Sequence, residues 1–242
     1  MPLELARFIR PGDGIILGQA CAEPQSLTEA LVAQRAAFSG ASVFLGVNYA
    51  GIVRPEHADH LRLSSYGGAG RNRALADAGV LDIHPHPYSR LAQLIRERKI
   101  PCDVVLLQVS PPNAHGEYSM GLAVDYLLPA IEVARTVIAE VNERIPWTHT
   151  EKRFRKEDFS LLVEASRDPA LAPPARCGET ERAIARHAAA FIPDGRSTTD
   201  SAAFALTDAA RTAAASPKQA VLLQILFLFL KHFVMSLPPL LD

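Results

Sequence analysis

Three short stretches of this sequence gather residues whose types and spacing suit chemistry. SPPNAHG places Ser110, Pro111, Pro112, His115 and Gly116 directly after an apolar run, Val104 to Val109, in which only Gln108 is polar. A bare turn needs fewer special residues. Here the prolines hold the loop, Gly116 permits close backbone approach, and His115 offers an acid, a base or a hydrogen-bond donor, or else braces the turn. GQACAEP supplies Gly18, Gln19, Ala20, Glu23 and Pro24 ahead of a capped helix. Amides in such a loop point at an anion or a carbonyl oxygen, or simply make a tight strand-to-helix turn. Glu23 adds a carboxylate nucleophile or base, and Cys21 a thiol, but a nucleophile and its base must meet within hydrogen-bond reach, and no sequence feature pairs a histidine with Cys21. SSYGGAGRNR (Ser64 to Arg73) sets Gly67 and Gly68 beside Arg71 and Arg73. That composition cradles phosphate, although the GK[ST] of a P-loop is absent. His84 and His86 in HPHP lack the third and fourth ligands that zinc takes, so no metal is expected.

The elements that must position these residues alternate in type. Gly14 to Ala20 reads as a short buried strand. Ser26 to Ala37 reads as a helix with Ser26 and Glu29 as a capping box, and Ser42 to Asn48 as a strand. Asn72 to Ala78 is a helix stopped by Gly79, Leu81 to Ile83 a strand stub, and Ser89 to Arg98 a helix with cations in its last turn. Asp103 to Val109 is the strongest strand; a helix over Asp125 to Ala134 follows, with Pro129 in its first turn, and then a strand over Thr136 to Asn142. Alternation of this kind predicts an α/β fold, an open and mostly parallel sheet with helices on both faces. In such sheets ligands bind beyond the carboxyl ends of strands, where all three loops fall. Pro146 to Pro174 reads as a connector, Glu179 to Phe191 as a helix and Ile192 to Gly195 as a turn.

Composition bounds the function. The 242 residues are 48% hydrophobic and 21% charged, with a formal charge of -1. This is a soluble globular profile, and it excludes the basic footprint of a nucleic-acid binder. Cys21, Cys102 and Cys177 are few, odd in number and widely spaced, which predicts a reducing, cytoplasmic setting. The N-terminus carries charges where a secretory signal would be apolar. Ala220 to Leu230 is apolar but far shorter than the ~20 residues that span a bilayer, so no membrane partner is expected.

Taken together, GQACAEPQSLTEAL, DVVLLQVSPPNAHGEYSMGLAVDY and TVIAEVNERIPWTH occur in the order and at the intervals of the acetyl-CoA hydrolase/transferase family. That family includes acetate, succinate and 4-hydroxybutyrate CoA-transferases, and the chain resembles it as far as about Gly195. The resemblance implies a CoA-transferase superfamily fold built of two similar α/β halves. It implies acyl-CoA and a small carboxylic acid such as acetate as substrates, with no permanently bound cofactor. It further implies a glutamate that attacks the thioester to give an acyl-glutamyl anhydride and then a glutamyl-CoA thioester. Gly18, Gln19, Ala20, Glu23, Pro24, Ser110, Pro111, Pro112, His115 and Gly116 would then line an acyl or CoA cleft.

From Arg196 the sequence departs from the family. No glycine follows Gly195 and no glutamate follows Glu181, as a truncation or a shifted frame would leave. The expected organisation is therefore a family domain over 1–195 and an atypical tail over 196–242. The catalytic glutamate is not assigned to Glu23, Glu117 or Glu140, and Glu23 is expected to brace its turn or face the cleft. Thr150 stands after His149 where relatives carry glycine. On this reading the chain is half of a transferase site, incomplete without a separate C-terminal half or another copy. The alternative is a non-catalytic module that binds CoA or a phosphorylated ligand.

Overall fold

The computed structural model describes residues 3–150, 152–172 and 178–189. Apolar residues in short runs, bounded by glycine, proline and polar turns, form the strands β1 (Gly14–Leu17), β2 (Ser42–Leu45), β3 (Arg62–Ser65), β4 (Leu81–Ile83), β5 (Val104–Val109), β6 (Thr136–Asn142) and β7 (Leu161–Ala165). They lie in one sheet in the order β4–β3–β2–β1–β5–β6–β7, every neighbour parallel. The helices are α1 (Gln25–Ala33), α2 (Asn72–Asp77), α3 (Leu91–Arg96), α4 (Leu127–Val133) and α5 (Glu179–Ala189).

Side chains alternate across a strand, and the core divides accordingly. Ile15, Leu17, Val43, Leu45, Leu63, Val104, Leu106 and Ile138 pack with Leu27 and Leu31 of α1 and Leu75 of α2. Ile16, Phe44, Val105, Leu107, Val109, Val137 and Ala139 pack with Leu91, Leu94 and Ile95 of α3 and Leu127 and Ala130 of α4. Helices thus cover both faces, which is why the central strands β1, β2 and β5 are mostly apolar rather than alternating. All six residues of β5 are buried.

Several expectations are corrected here. The Ser26–Glu29 capping box does not form: α1 begins one residue earlier and Pro24 occupies the cap position without a side-chain bond. The strand read to Ala20 ends at Leu17 because Ala20 takes a positive φ of 54°. Helix Ser89–Arg98 opens as a 3-10 turn over Tyr88–Arg90, becomes α3 and ends at Arg96. The stretch read as a glycine-rich loop begins inside β3, and the proline-rich connector contains β7. Pro129 does sit in the first turn of α4.

The chain divides into two units, Met1–Pro173 and Pro174–Asp242. The second is described over 178–189, where α5 begins at Glu179 as the sequence predicts. The Ile192–Gly195 turn, the tail from Arg196 and the apolar Ala220–Leu230 run lie outside the described residues.

Candidate active site

The strand order reverses at one place. From β1 the chain moves outward through β2 and β3 to β4, then returns to β5 on the other side of β1 and continues outward through β6 to β7. The loops leaving β1 and β5 therefore lead to helices on opposite faces, α1 and α4, and at the carboxyl edge such a reversal is where open α/β sheets bind ligands. Those loops carry the GQACAEP and SPPNAHG residues.

The β1 loop is stitched into that edge. The Gly18 amide donates to the Leu106 carbonyl (2.9 Å) and the Ala20 amide to the Val47 carbonyl (2.7 Å). Gly18 is required sterically, since a Cβ there would sit 2.7 Å from the Ala22 carbonyl oxygen. Gln19 satisfies every polar atom of its amide. Its Nε2 donates to the Asp125 carboxylate (2.7 Å) and the Tyr88 hydroxyl (2.9 Å). Its Oε1 accepts from the Val47 amide (3.0 Å) and the Tyr66 hydroxyl (2.9 Å). Asp125 holds a positive φ of 45°, a conformation that persists in a non-glycine only where surroundings over-determine it. Around this hub stand Phe44, Tyr66, Tyr88 and Tyr126, with Tyr66 and Tyr88 edge to face at 5.2 Å.

Glu23 is buried, 6% exposed. One carboxylate oxygen accepts from the amides of Tyr49 and Ala50, the latter at 3.1 Å. Burial pushes its pKa up to about 7, against the lowering pull of those amides and of the Arg71 charge. The carboxyl grips the turn that follows β2. Pro24 continues the same segment as Glu23 into α1, with its carbonyl accepting from Thr28.

Sequence reasoning missed the partner that replaces the capping box. Glu140, fully buried on β6, accepts from the amides of Ser26 (2.6 Å) and Leu27 (3.2 Å) with one oxygen. Its other oxygen has no hydrogen-bond partner among the described residues. Burial raises its pKa, opposed by the Leu27 and Ser26 bonds and the Arg167 charge. Glu29, read as the box's second member, instead pairs with Arg167 at 3.0 Å through both oxygens. Beside Glu140 the Asn142 side chain donates to Gln108 (2.8 Å), and Gln108 donates to the Cys21 carbonyl (3.3 Å). The signal that could have found this ribbon is the charge in TVIAEVN: a carboxylate inside a buried strand needs hydrogen-bond donors.

The β5 loop is a stapled hairpin. Ser110 is fully buried and exchanges bonds with Ser119. The Asn113 side chain accepts from the amides of His115 (2.9 Å) and Glu117 (3.0 Å), which folds Asn113 to Gly116 into a tight turn. Gly116 has φ of +74° and nothing within 4 Å of where a Cβ would stand. Its glycine answers the backbone conformation, and no described residue approaches that point closely. Pro112 and His115 are exposed, and no described residue hydrogen-bonds the His115 ring. The Asn113 bond, joined by the charge of Arg153, holds the Glu117 carboxyl below the usual range. Ser119 and Thr148 lace this loop to the one after β6.

The third loop is divided by the fold. Arg71 turns toward the β2 loop, its Nε donating to the Tyr49 carbonyl (2.9 Å). Arg71 and Arg73 line a groove with Gly51, Arg54 and Gly70, whereas Gly67 and Gly68 lie outside it; Gly68 faces Ala76 and Ile83 instead. His84 packs on the Phe44 ring at 6.0 Å, and no group of three metal-ligating side chains occurs among the described residues. Cys102 is buried with its thiol pushed up to about 12.

Comparison with known proteins agrees with this layout. The chain is 31% identical over 186 residues to the 4-hydroxybutyrate coenzyme A transferase of Clostridium kluyveri, covering 75% of this chain and 43% of that one. It is 26% identical over 202 residues to the butyryl-CoA:acetate CoA-transferase of Anaerostipes caccae, covering 79% and 45%. It therefore spans less than half the length of these curated relatives. The crystal structure of RipA from Yersinia pestis superposes with a TM-score of 0.71 at 26% identity, over 79% of this chain and 47% of RipA. The 4-hydroxybutyrate CoA-transferase of Porphyromonas gingivalis shares the fold, with a TM-score of 0.57 at 24% identity over 80% and 45%. The acetyl-CoA hydrolase/transferase N-terminal domain matches residues 1–154, and the chain belongs to that family.

Proposed function

We propose that residues 3–172 form the thioester-facing half of an acyl-CoA:carboxylate CoA-transferase, moving CoA between an acyl-CoA and a small carboxylic acid such as acetate. The observation that carries this reading is the position of the two family motifs: GQACAEP and SPPNAHG leave adjacent parallel strands at the single reversal of strand order. The attacking carboxylate is assigned to a glutamate outside these residues. Glu23 and Glu140 are the buried glutamates among the described residues of this half, and both spend an oxygen on backbone amides. A nucleophile must instead present that oxygen to the substrate.

In this scheme the glutamate attacks the thioester carbonyl and the carbon–sulfur bond breaks. Acyl-glutamyl anhydride and CoA thiolate result, and the thiolate then attacks the glutamyl carbonyl and releases the acyl group as a carboxylate. The acceptor acid repeats these steps in reverse. This half orients the acyl-CoA: Gly18 to Pro24 on one wall, Ser110 to Gly116 on the other, the latter held by Asn113 and the Ser119–Thr148 lacing. CoA enters as substrate, and no resident cofactor is invoked. A second half that bears the attacking glutamate completes the site. The reading places the protein in the cytoplasm, and among the described residues no helix is long and apolar enough to cross a membrane.

The test is CoA transfer from acetyl-CoA to a carboxylic acid, by the chain alone and mixed with the C-terminal half of the Clostridium kluyveri relative. Negligible turnover alone and measurable turnover in the mixture are expected. Turnover by the chain alone that Glu23→Ala abolishes, with a CoA adduct on Glu23 by mass spectrometry, would overturn the placement of the nucleophile.

A further inference from the structure

A groove between the loop after β2 and the start of α2 takes no part in the scheme above. Its volume is about 600 Å³, within the range of small-ligand sites. Gly51, Arg54 and Glu56 line one side; Arg71, Arg73 and Asp77 line the other. Arg71 lies across Gly51, where any Cβ would collide with its Cδ, and its Nε is held by the Tyr49 carbonyl at 2.9 Å. That bond fixes the guanidinium plane and leaves its two terminal nitrogens for another partner. The Arg73 side chain is exposed, with no hydrogen bond or ion pair among the described residues. Arg54 stands 3.6 Å from Glu56, a loose pair with both side chains more than half exposed. Three arginines face two carboxylates, and one of the three is set in place by backbone. Guanidinium forks match phosphate oxygens two at a time, and an exposed ion pair of that length gives way to a better anion.

We propose that this groove binds a phosphate-bearing ligand, with Arg71 as the fixed contact and Arg54 and Arg73 closing on a phosphomonoester or pyrophosphate. The site stands without the transferase reading; only the identification of CoA as its occupant rests on that reading, since CoA carries both kinds of phosphate group. Arg71 also ties the groove to Glu23. Tyr49, whose carbonyl accepts from Arg71, also donates its amide to Glu23. An anion on Arg71 offsets the positive field at Glu23, so an occupied groove makes Glu23 hold its proton more tightly.

Titration calorimetry of the full chain with inorganic pyrophosphate, CoA and pantetheine, which lacks phosphate, tests the proposal. Pyrophosphate binding is expected, weakened at least tenfold in Arg73→Ala and in Arg54→Ala and further in the double variant; both side chains are exposed, and unchanged circular dichroism confirms folding. CoA affinity that falls in parallel, with pantetheine bound equally by all variants, identifies CoA as the occupant. Pyrophosphate affinity that falls while CoA affinity does not assigns the groove to a different phosphate ligand. A chain that binds pyrophosphate but neither CoA nor pantetheine retains the groove and counts against the transferase reading. No pyrophosphate binding, or equal binding by wild type and the double variant, overturns the proposal.

Discussion

Glu140, at the centre of β6, accepts a hydrogen bond from the amide of Ser26 at 2.6 Å across 114 residues of sequence. The first turn of a helix leaves its amides without intrahelical partners, and here a carboxylate from the sheet satisfies two of them. A long-range contact has replaced the local cap. It also positions the loop, because Gly18 to Pro24 runs directly into the helix whose start Glu140 holds.

Glu140→Ala is expected to destabilise the protein by about 2–3 kcal/mol, since it orphans two buried amides. Glu140→Gln keeps an acceptor for them and should cost about 1 kcal/mol, the difference between a charge-assisted and a neutral bond. Urea denaturation of the two variants at one pH separates the cases. Equal losses would show that packing, rather than the acceptor, sets the cost.

Glu23 gives stability a pH dependence of defined sign. Its folded-state pKa of about 7 lies above the ordinary 4.5, so the folded protein binds the proton more tightly than the unfolded chain. The contribution is complete below about 4.5 and is lost as pH rises through about 7, amounting to about 3 kcal/mol. Denaturation midpoints of wild type and Glu23→Gln between pH 4.5 and 8 should therefore converge at the acid end and separate at the alkaline end, with the variant the more stable there. Parallel profiles would rule out Glu23 as the source.

Gly116→Ala and Gly46→Ala should differ in kind. Gly116 has φ of +74° and open space around it, so alanine costs only left-handed backbone strain, about 1–2 kcal/mol. At Gly46 a Cβ would collide with the Gln19 side-chain oxygen and the Tyr126 hydroxyl region, which dismantles the hub joining Asp125, Tyr66 and Tyr88. A loss of about 3 kcal/mol or more is expected there, from overpacking and broken hydrogen bonds. Thermal melts with near-ultraviolet dichroism of the tyrosines report both.

His115→Ala should leave stability within about 0.5 kcal/mol, as for other exposed residues. Any fall in affinity for acyl-CoA then reports a direct contact with the ligand. Unchanged affinity, measured in the completed enzyme, would remove His115 from the cleft wall.

Much of the fold was legible because its signals are local. Thr136–Asn142 and Leu81–Ile83 appear as strands at the predicted bounds. Arg62–Ser65 and Leu161–Ala165 were not legible. Each is a short strand in which polar residues interrupt the run, and neighbours in the sheet rather than its own composition make it a strand. The same limit applies to Ser26 and Glu29, whose spacing suits a capping box, while Glu140 reaches the Ser26 and Leu27 amides from β6 and Glu29 pairs with Arg167.

The sequence by itself determined the alternation of strands and helices, the two family motifs and their place at strand ends, because each is written in contiguous residues. It did not determine that β1 and β5 are neighbours, that Glu23 grips the Tyr49–Ala50 turn, or that Gly67 and Gly68 part from Arg71 and Arg73. Those relationships join residues tens of positions apart, and strand order with burial selects among many pairings that local propensity leaves equal. Only the folded sheet brings the GQACAEP and SPPNAHG loops out of adjacent strands at one edge.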